Sequence, residues 1–448
     1  MRRWLLLAVL VSTSCRGAGA PLPPTTLAPT LATTRGATST TVQTATTVGV
    51  QKLDVAAWRE DLNALISNLE ELHPNPWWRV TKDTFLADVA DVSARLPRLT
   101  SDQATLEIVR LAAEIDGHTQ VFVGYLGWDF ARIQLYAFQD GIGVAGASDP
   151  SLVGGRLIAV GHTPAEEAFD LASVLASYDN PETRAFTTPF LLAVPRLLAG
   201  LGIDDEDPTY TIQKVDGESV TVTPETGTFD QYRSWFGDPV IGLPQSDLMP
   251  YLARKTTPFW WTVLDDGSVY LQYNQVTRSG LDPSTGAQIA LGTLVEQVGA
   301  ALDAAPQAAL IVDIRHNLGG DNQTYAPLLS MLTDRFSDSC GLYVITGRAT
   351  FSAAVNFATE VEQQTTAVFI GEPTGGSPNL YGDVTTVTLP NSHIQVRIST
   401  RYWEFGGPDD HRISIEPAIP APPTLADWNA GRDTALEAVP SGRTCSTP

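Results

Sequence analysis

Lysine is nearly missing from this chain: Lys52, Lys82, Lys214 and Lys255 are all that 448 residues contain, and none follows position 255. Cysteine is as scarce, at Cys15, Cys340 and Cys445, too few to build a metal site from thiolates alone. HxxH, HExxH, CxxC and a complete phosphate loop are all absent, so nothing in the sequence calls for a metal or a nucleotide cofactor. Basic charge is short as well. With 28 basic against 50 acidic residues the net charge is -22, which excludes the basic footprint of a nucleic-acid-binding surface. No segment carries the ~18 uninterrupted apolar residues of a membrane span. What is present, 43% hydrophobic and 17% charged residues, is a globular composition long enough for two or three domains.

The first twenty residues, MRRWLLLAVLVSTSCRGAGA, join two arginines to a short apolar run and small residues. That pattern predicts an export signal over 1–20, with cleavage near Ala18 or Ala20, or a lipid tether through Cys15. Ser12, where a lipidation signal usually has an aliphatic residue, argues against the tether. Residues 21–50 follow as a spacer, with eleven threonines and four prolines between positions 21 and 48, a composition that cannot bury a face. The expected location is therefore extracellular or in the cell envelope. In an oxidising compartment Cys340 and Cys445 are able to pair and fasten the tail to the core; two unrelated thiols is the equal alternative.

Helical spacing begins after the spacer. Trp58, Leu62, Leu65, Leu69 and Leu72 form one stripe, Phe85, Val89, Val92 and Leu96 a second, and Leu106, Val109 and Ile115 a third over about 103–115. This helical region, 51–125, ends in DGHTQVFVGYLG, a turn feeding a strand. Residues 126–225 are β-rich, with a helix around 164–177 and an apolar segment around 189–200. In 226–448, Asp265-Asp266-Gly267 predicts a hairpin, after which short apolar strands alternate with helices. That alternation implies a mixed, largely parallel sheet in an α/β core, with binding loops beyond the carboxyl ends of the strands.

Two of those loops carry candidate chemistry. DIRHNLGGD holds Gly319 and Gly320, where a backbone without Cβ is able to approach a ligand. GRATFSAAVNFATEV places Ser352 between small residues ahead of a helix. A helix cap is the ordinary role for such a serine, but Thr350 serves that role equally well. A hydroxyl at the positive end of a helix suits chemistry that develops negative charge. The bases on offer are six histidines: His73, His162, His316, His393 and His411 fall in loops and turns. His118, at the helix-to-strand switch in DGHT, has the placement expected of a functional imidazole.

The ordered segments DIRHNLGGD, GRATFSAAVNFATEV and TTAVFIGEPTGGSPN resemble the S41 peptidases, which include C-terminal processing proteases, the tricorn core protease and retinoid-binding repeats. The resemblance runs over about 115–420 and is sharpest between 308 and 377. It implies a crotonase-like core with a small PDZ-like β module. It also implies Ser352 as nucleophile and an oxyanion hole from the N–H of Ala353 and of Gly319 or Gly320. The processing-protease branch places a lysine base about 25 residues after the serine, and Ser377 stands there instead. DGHT resembles the tricorn-like branch, which implies His118 as base, although Gly117 replaces the serine that precedes the histidine in that branch. The orienting carboxylate is expected in GGPDDHRISIEPAIP, first at Asp410, with Asp409, Glu404 and Glu416 as alternatives.

These residues together imply acyl transfer to serine from a peptide or protein substrate, with no cofactor. Two other readings stay open: a secreted ligand-binding protein on the same core, and another serine hydrolase such as an esterase.

Overall fold

The computed structural model of the chain describes residues 53–236, 249–281 and 285–443. The expected leader and spacer, Cys15 and Cys445 lie outside the described residues.

The three apolar stripes become helices α1 (Val55–Leu72), α2 (Lys82–Arg95) and α3 (Ser101–Ala113). Each begins at a side-chain cap. Asp54 accepts from the Ala57 N–H at 2.8 Å, Thr81 from Thr84, and Thr100 forms a reciprocal box with Gln103. That box starts α3 two residues before its apolar spacing becomes visible, since a cap satisfies the orphan N–H groups of the first turn whatever the side chains that follow.

The β-rich segment folds as an antiparallel sheet of β1 (Ile133–Phe138), β2 (Gly141–Ala147), β3 (Arg156–Val160), β4 (Tyr210–Gln213) and β5 (Ser219–Val222), adjacent in that order. Between β3 and β4 the chain makes α4 (Ala165–Ser173), α5 (Pro181–Leu191) and a short helix, Pro195–Leu201. The apolar segment of 189–200 is thus helical, started by Pro195 and stopped by Gly202 at φ 72°. The N-terminal helices and this sheet share one apolar cluster, from Leu65 and Phe85 through Ile133 and Tyr210.

A second sheet carries the α/β alternation. Its strands β6 (Phe259–Val263) and β7 (Val269–Tyr273) form the hairpin turned at Gly267, φ 85°. They are followed by β8 (Leu310–Asp313), β9 (Leu342–Thr346) and β10 (Val368–Gly371). Next in the chain comes a long hairpin, β11 (Asn379–Thr388) and β12 (Gln395–Glu404), and then the last strand of the sheet, β13 (Ile419–Pro420). The sheet order is β13-β10-β9-β8-β7-β6, with the β6–β7 pair antiparallel and the rest parallel. Helices α6 (Leu291–Ala304), α7 (Ala326–Phe336) and α8 (Ala353–Gln364) cover one face; Tyr270, Ile311, Tyr343 and Ile370 pack on the other with Ala435. Strands buried on both faces read as unbroken apolar runs, which is why LIVD, LYVIT and VFIG are so plain in the sequence.

The β11–β12 hairpin leaves the sheet and docks on the helical region. At its tip the Asn391 and Ser392 N–H groups each donate to the fully buried Asp61 of α1 at 2.8 Å. Farther along, Arg397 pairs with Gln120 as an antiparallel bridge. This hairpin therefore connects the DGHT segment to the α/β core.

Candidate active site

At the end of β8 the chain turns through Arg315–Gly320. Asn317 organises the turn: its Nδ2 donates to the Tyr273 carbonyl at 2.8 Å, its Oδ1 accepts from the Gly319 N–H at 2.9 Å, and its carbonyl accepts from the Phe351 N–H at 3.0 Å. Asn317 thus ties the glycine loop to the serine loop. Gly319 has φ 102°, and a Cβ there would stand 2.7 Å from the Ser352 Cβ and 2.8 Å from the Ala353 nitrogen, so no other residue fits. At Gly320 the flanking groups make the bridge to Val276, through the Val276 and Asp321 N–H groups. The Gly320 N–H is left unengaged among the described residues.

Ser352 occupies the cap position of α8, yet its side chain caps nothing. Its backbone has φ 56° and ψ -129°, a region that costs a non-glycine residue about 1–3 kcal/mol. Thr350 does not cap either: its hydroxyl donates to the Ile314 carbonyl and accepts from the Gly347 N–H, closing the loop from within. The Ala354 and Val355 N–H groups donate to the Phe351 and Ser352 carbonyls, which leaves the Ala353 N–H, next to the serine, without a backbone acceptor among the described residues.

DGHT reaches this loop from the other side. The His118 ring lies against Phe351, the residue before Ser352, with centroids 4.4 Å apart and planes 23° apart. The Tyr381 backbone on β11 favours the protonated ring, while Nδ1 is buried and has no hydrogen-bond partner among the described residues. Burial, with a smaller contribution from the Arg397 charge, pushes the His118 imidazole down to about 4, despite the opposing pull of Asp116. His118 is therefore a neutral imidazole at physiological pH, with a free lone pair.

Asp116 holds the turn. Its Oδ1 accepts from the N–H groups of His118 and Thr119, both at 2.7 Å, and from the Ser399 hydroxyl at 2.9 Å. Its Oδ2 faces His73 Nε2 at 2.7 Å, and His73 Nδ1 accepts from the Asn75 N–H, so Nε2 carries the hydrogen and donates it to Asp116. Burial alone would raise this carboxyl; the His73 hydrogen bond, with those from the neighbouring backbone, outweighs it and holds it at about 2. His73, in a loop by its sequence, is a buried structural partner.

The carboxylates expected from GGPDDHRISIEPAIP are not brought to His118. Both Asp410 oxygens are bound by Arg412, at 3.1 Å and 2.8 Å, and Arg412 reaches on to Glu362. Glu416 is exposed and accepts from Ser414, and Asp409 and Glu404 are exposed. Cys340 lies beside the tail, its carbonyl accepting from Arg443 at 2.7 Å.

A cavity of about 270 Å³ opens on the same loops, lined in part by Tyr136, Tyr251, His316, Arg348 and Glu372. Neither Ser352 nor His118 lines it, although Gly347, Arg348 and Ala349 of the serine loop do.

Of the residues that matter here, Asn317 and Asp116 stand inside the two motifs and carry a local signal, since Asn and Asp side chains bond the backbone two residues on. Tyr381 contributes only its backbone, which no sequence pattern marks.

No family model matches this sequence, and no curated protein does. Among solved structures the chain is similar to a serine-to-alanine mutant of CPAF, with 14% identity, a TM-score of 0.60, and coverage of 84% of this chain and 95% of that one. It is similar to the same degree to mature CPAF complexed with lactacystin, at 13% identity and TM-score 0.60 over 84% and 96% of the two chains. At such identity the likeness is one of fold: a mixed α/β architecture.

Proposed function

We propose that the protein is a serine-type peptidase in which Ser352 is the nucleophile and His118 the general base. One observation carries the reading: a serine in a strained backbone, its hydroxyl capping nothing, sits next to the phenylalanine on which a neutral imidazole with an unpartnered Nδ1 is stacked. Strain retained at a polar residue is characteristic of functional positions.

As Ser352 Oγ attacks a peptide carbonyl carbon, its proton passes to His118. The oxyanion falls toward the Ala353 N–H at the start of α8 and toward Gly320, the member of the glycine pair whose N–H is uncommitted. The imidazolium then protonates the departing amine as the C–N bond breaks, and water repeats the sequence on the acyl-enzyme. The fold likeness to CPAF, crystallised with lactacystin, supports a protein or peptide as substrate and makes lactacystin a second probe. The processing-protease base is a lysine, and none follows Lys255 here. Export, from the leader-like first twenty residues, belongs to the same proposal.

Intact-mass analysis after treatment with a fluorophosphonate tests it. One adduct per chain, mapped to Ser352 and abolished in Ser352→Ala together with cleavage of a casein substrate, is expected. Failure of the wild-type protein to label would favour the ligand-binding alternative, and ester hydrolysis without peptide cleavage would favour the esterase.

A further inference from the structure

Two polar atoms near Gly117 are shut off from solvent without a hydrogen-bond partner: His118 Nδ1 and Asp179 Oδ2. Asp179 lies between α4 and α5. Its Oδ1 accepts from the Gly117 N–H at 2.8 Å, which anchors the carboxyl directly before the histidine. The anchoring is specific to glycine. A Cβ at position 117 would stand 2.9 Å from the Phe351 ring and 3.0 Å from the Asp179 carboxyl carbon and Oδ1. Asp179 thus fills the space that a side chain before the histidine would need, and touches the same pocket of atoms as the ring that stacks on His118.

The loop is held there firmly. Asn180, next in the chain, caps α5 through the Thr183 N–H and donates from Nδ2 to the Thr374 and Ile413 carbonyls at 2.8 and 2.7 Å. Gly375, following Thr374, donates to the Thr350 carbonyl in the serine loop. The cations nearby make no hydrogen bond to the carboxyl, although the Arg79 charge favours its ionised form. Arg79 donates to the Asp179 carbonyl rather than to its carboxyl, and lies over Trp78 and Tyr178; Arg184 lies over Tyr178 from the other side. The remaining charged neighbour is Asp116, fully occupied by His73, Thr119 and Ser399. Asp179 is therefore a positioned carboxyl whose second oxygen nothing satisfies.

We propose that Asp179 is a positioning residue of the reaction: its carboxylate, held across Gly117, adds to the Asp116 charge in stabilising the His118 imidazolium, the part that Asp410 does not reach. The inference rests on the peptidase reading above. No proton need reach Asp179. The proton moves from Ser352 Oγ to His118 as the Oγ–C bond forms, and from His118 to the amine as the C–N bond breaks; Asp179 stabilises the charge in between. Burial, and then the Asp116 charge, push the Asp179 carboxyl up to about 7. Its ionised form, the useful one, accordingly appears as pH rises through neutrality, well above the range in which His118 itself would titrate.

The test is the rate of fluorophosphonate labelling of Ser352 in the full chain, measured from pH 4.5 to 9 in the wild type and in Asp179→Asn, which keeps an acceptor for the Gly117 N–H. The wild-type rate is expected to rise with a midpoint near 7. Asp179→Asn is expected to lose about tenfold or more at pH 8, as for removal of a nearby buried charge, and to lose that midpoint. Labelling of Asp179→Asn at the wild-type rate with an unchanged midpoint would overturn the inference and leave the peptidase reading intact. Should Asp179→Asn not fold, the wild-type profile decides: a rate already flat across pH 6–8 overturns it. A wild-type chain that never labels at Ser352 takes down the peptidase reading and this inference together.

Discussion

His118 and Asp179 are displaced by burial in opposite directions, and the two shifts have opposite effects on stability. The His118 imidazole falls to about 4 from an ordinary 6.5, so between those values the unfolded chain binds the proton better and stability declines as pH falls. The Asp179 carboxyl rises to about 7 from 3.8; its contribution is full below the unfolded value and is lost as pH climbs through 7. Asp179→Asn is therefore expected to stabilise the protein at pH 8, on the order of 1–2 kcal/mol, because an unsatisfied buried charge is removed. Urea unfolding at pH 8 and pH 5 checks this, with a smaller gain at the lower pH. A net loss at pH 8 would mark Asp179 as a structural residue. Ser352→Ala, by contrast, removes a hydroxyl that makes no cap bond and has no hydrogen bond among the described residues, so it is expected to abolish turnover while changing stability by less than about 1 kcal/mol, read from thermal melts.

At the level of elements, the site is made by three loops that two small motifs lock together. The glycine loop after β8 and the serine loop before α8 meet at Gly319, where there is no room for a methyl group. Gly319→Ala is expected to cost roughly 2–3 kcal/mol, from the positive φ and the 2.7 Å approach to Ser352 together, and to eliminate Ser352 labelling in whatever fraction folds. The DGHT turn depends on Asp116 in the same way. Asp116→Ala leaves the His73 ring and two backbone N–H groups buried without their acceptor, and the expected loss is about 3–5 kcal/mol, measured by denaturant midpoint. Acid should act on the same pair from the other direction. With the Asp116 carboxyl held at about 2 against an ordinary 3.8, its stabilisation is present above 3.8 and is lost as pH falls through 2. The elements themselves were legible in the sequence because their signals are local: caps at Asp54, Thr81 and Thr100, a Gly267 turn, and apolar runs where both sheet faces are covered.

Over the whole molecule, two apolar clusters are joined by the β11–β12 hairpin and by the Asp179–Asn180 loop, and the site lies where they meet. The tail is drawn back onto the core at its far edge, where Tyr343 donates to the Gly442 carbonyl at 2.9 Å and Arg443 binds the Cys340 and Pro306 carbonyls. Since Cys445 follows two residues after Arg443, peptide mapping without reductant is expected to recover Cys340 linked to Cys445. Both cysteines as free thiols in protein from an oxidising compartment would reject the pairing, and with it one support for export.

Helix and strand periods repeat every few residues, so the sequence by itself determined the helical stripes, the β-rich character of 126–225, the α/β alternation and the two loops where Ser352 and the glycine pair stand. It also singled out His118 and excluded a lysine base after Ser352 simply by having no lysine there. Which carboxyl faces which cation or imidazole was decided only by the tertiary structure. Polar pairing depends on where distant backbone crosses: Asp179 bonds Gly117 across 62 positions, and Ser399 bonds Asp116 across 283. Asp410 shows the reverse, an acid in the expected segment that a neighbouring arginine two residues away takes first. A carboxylate goes to the nearest donor that folding presents, and sequence spacing does not measure that distance.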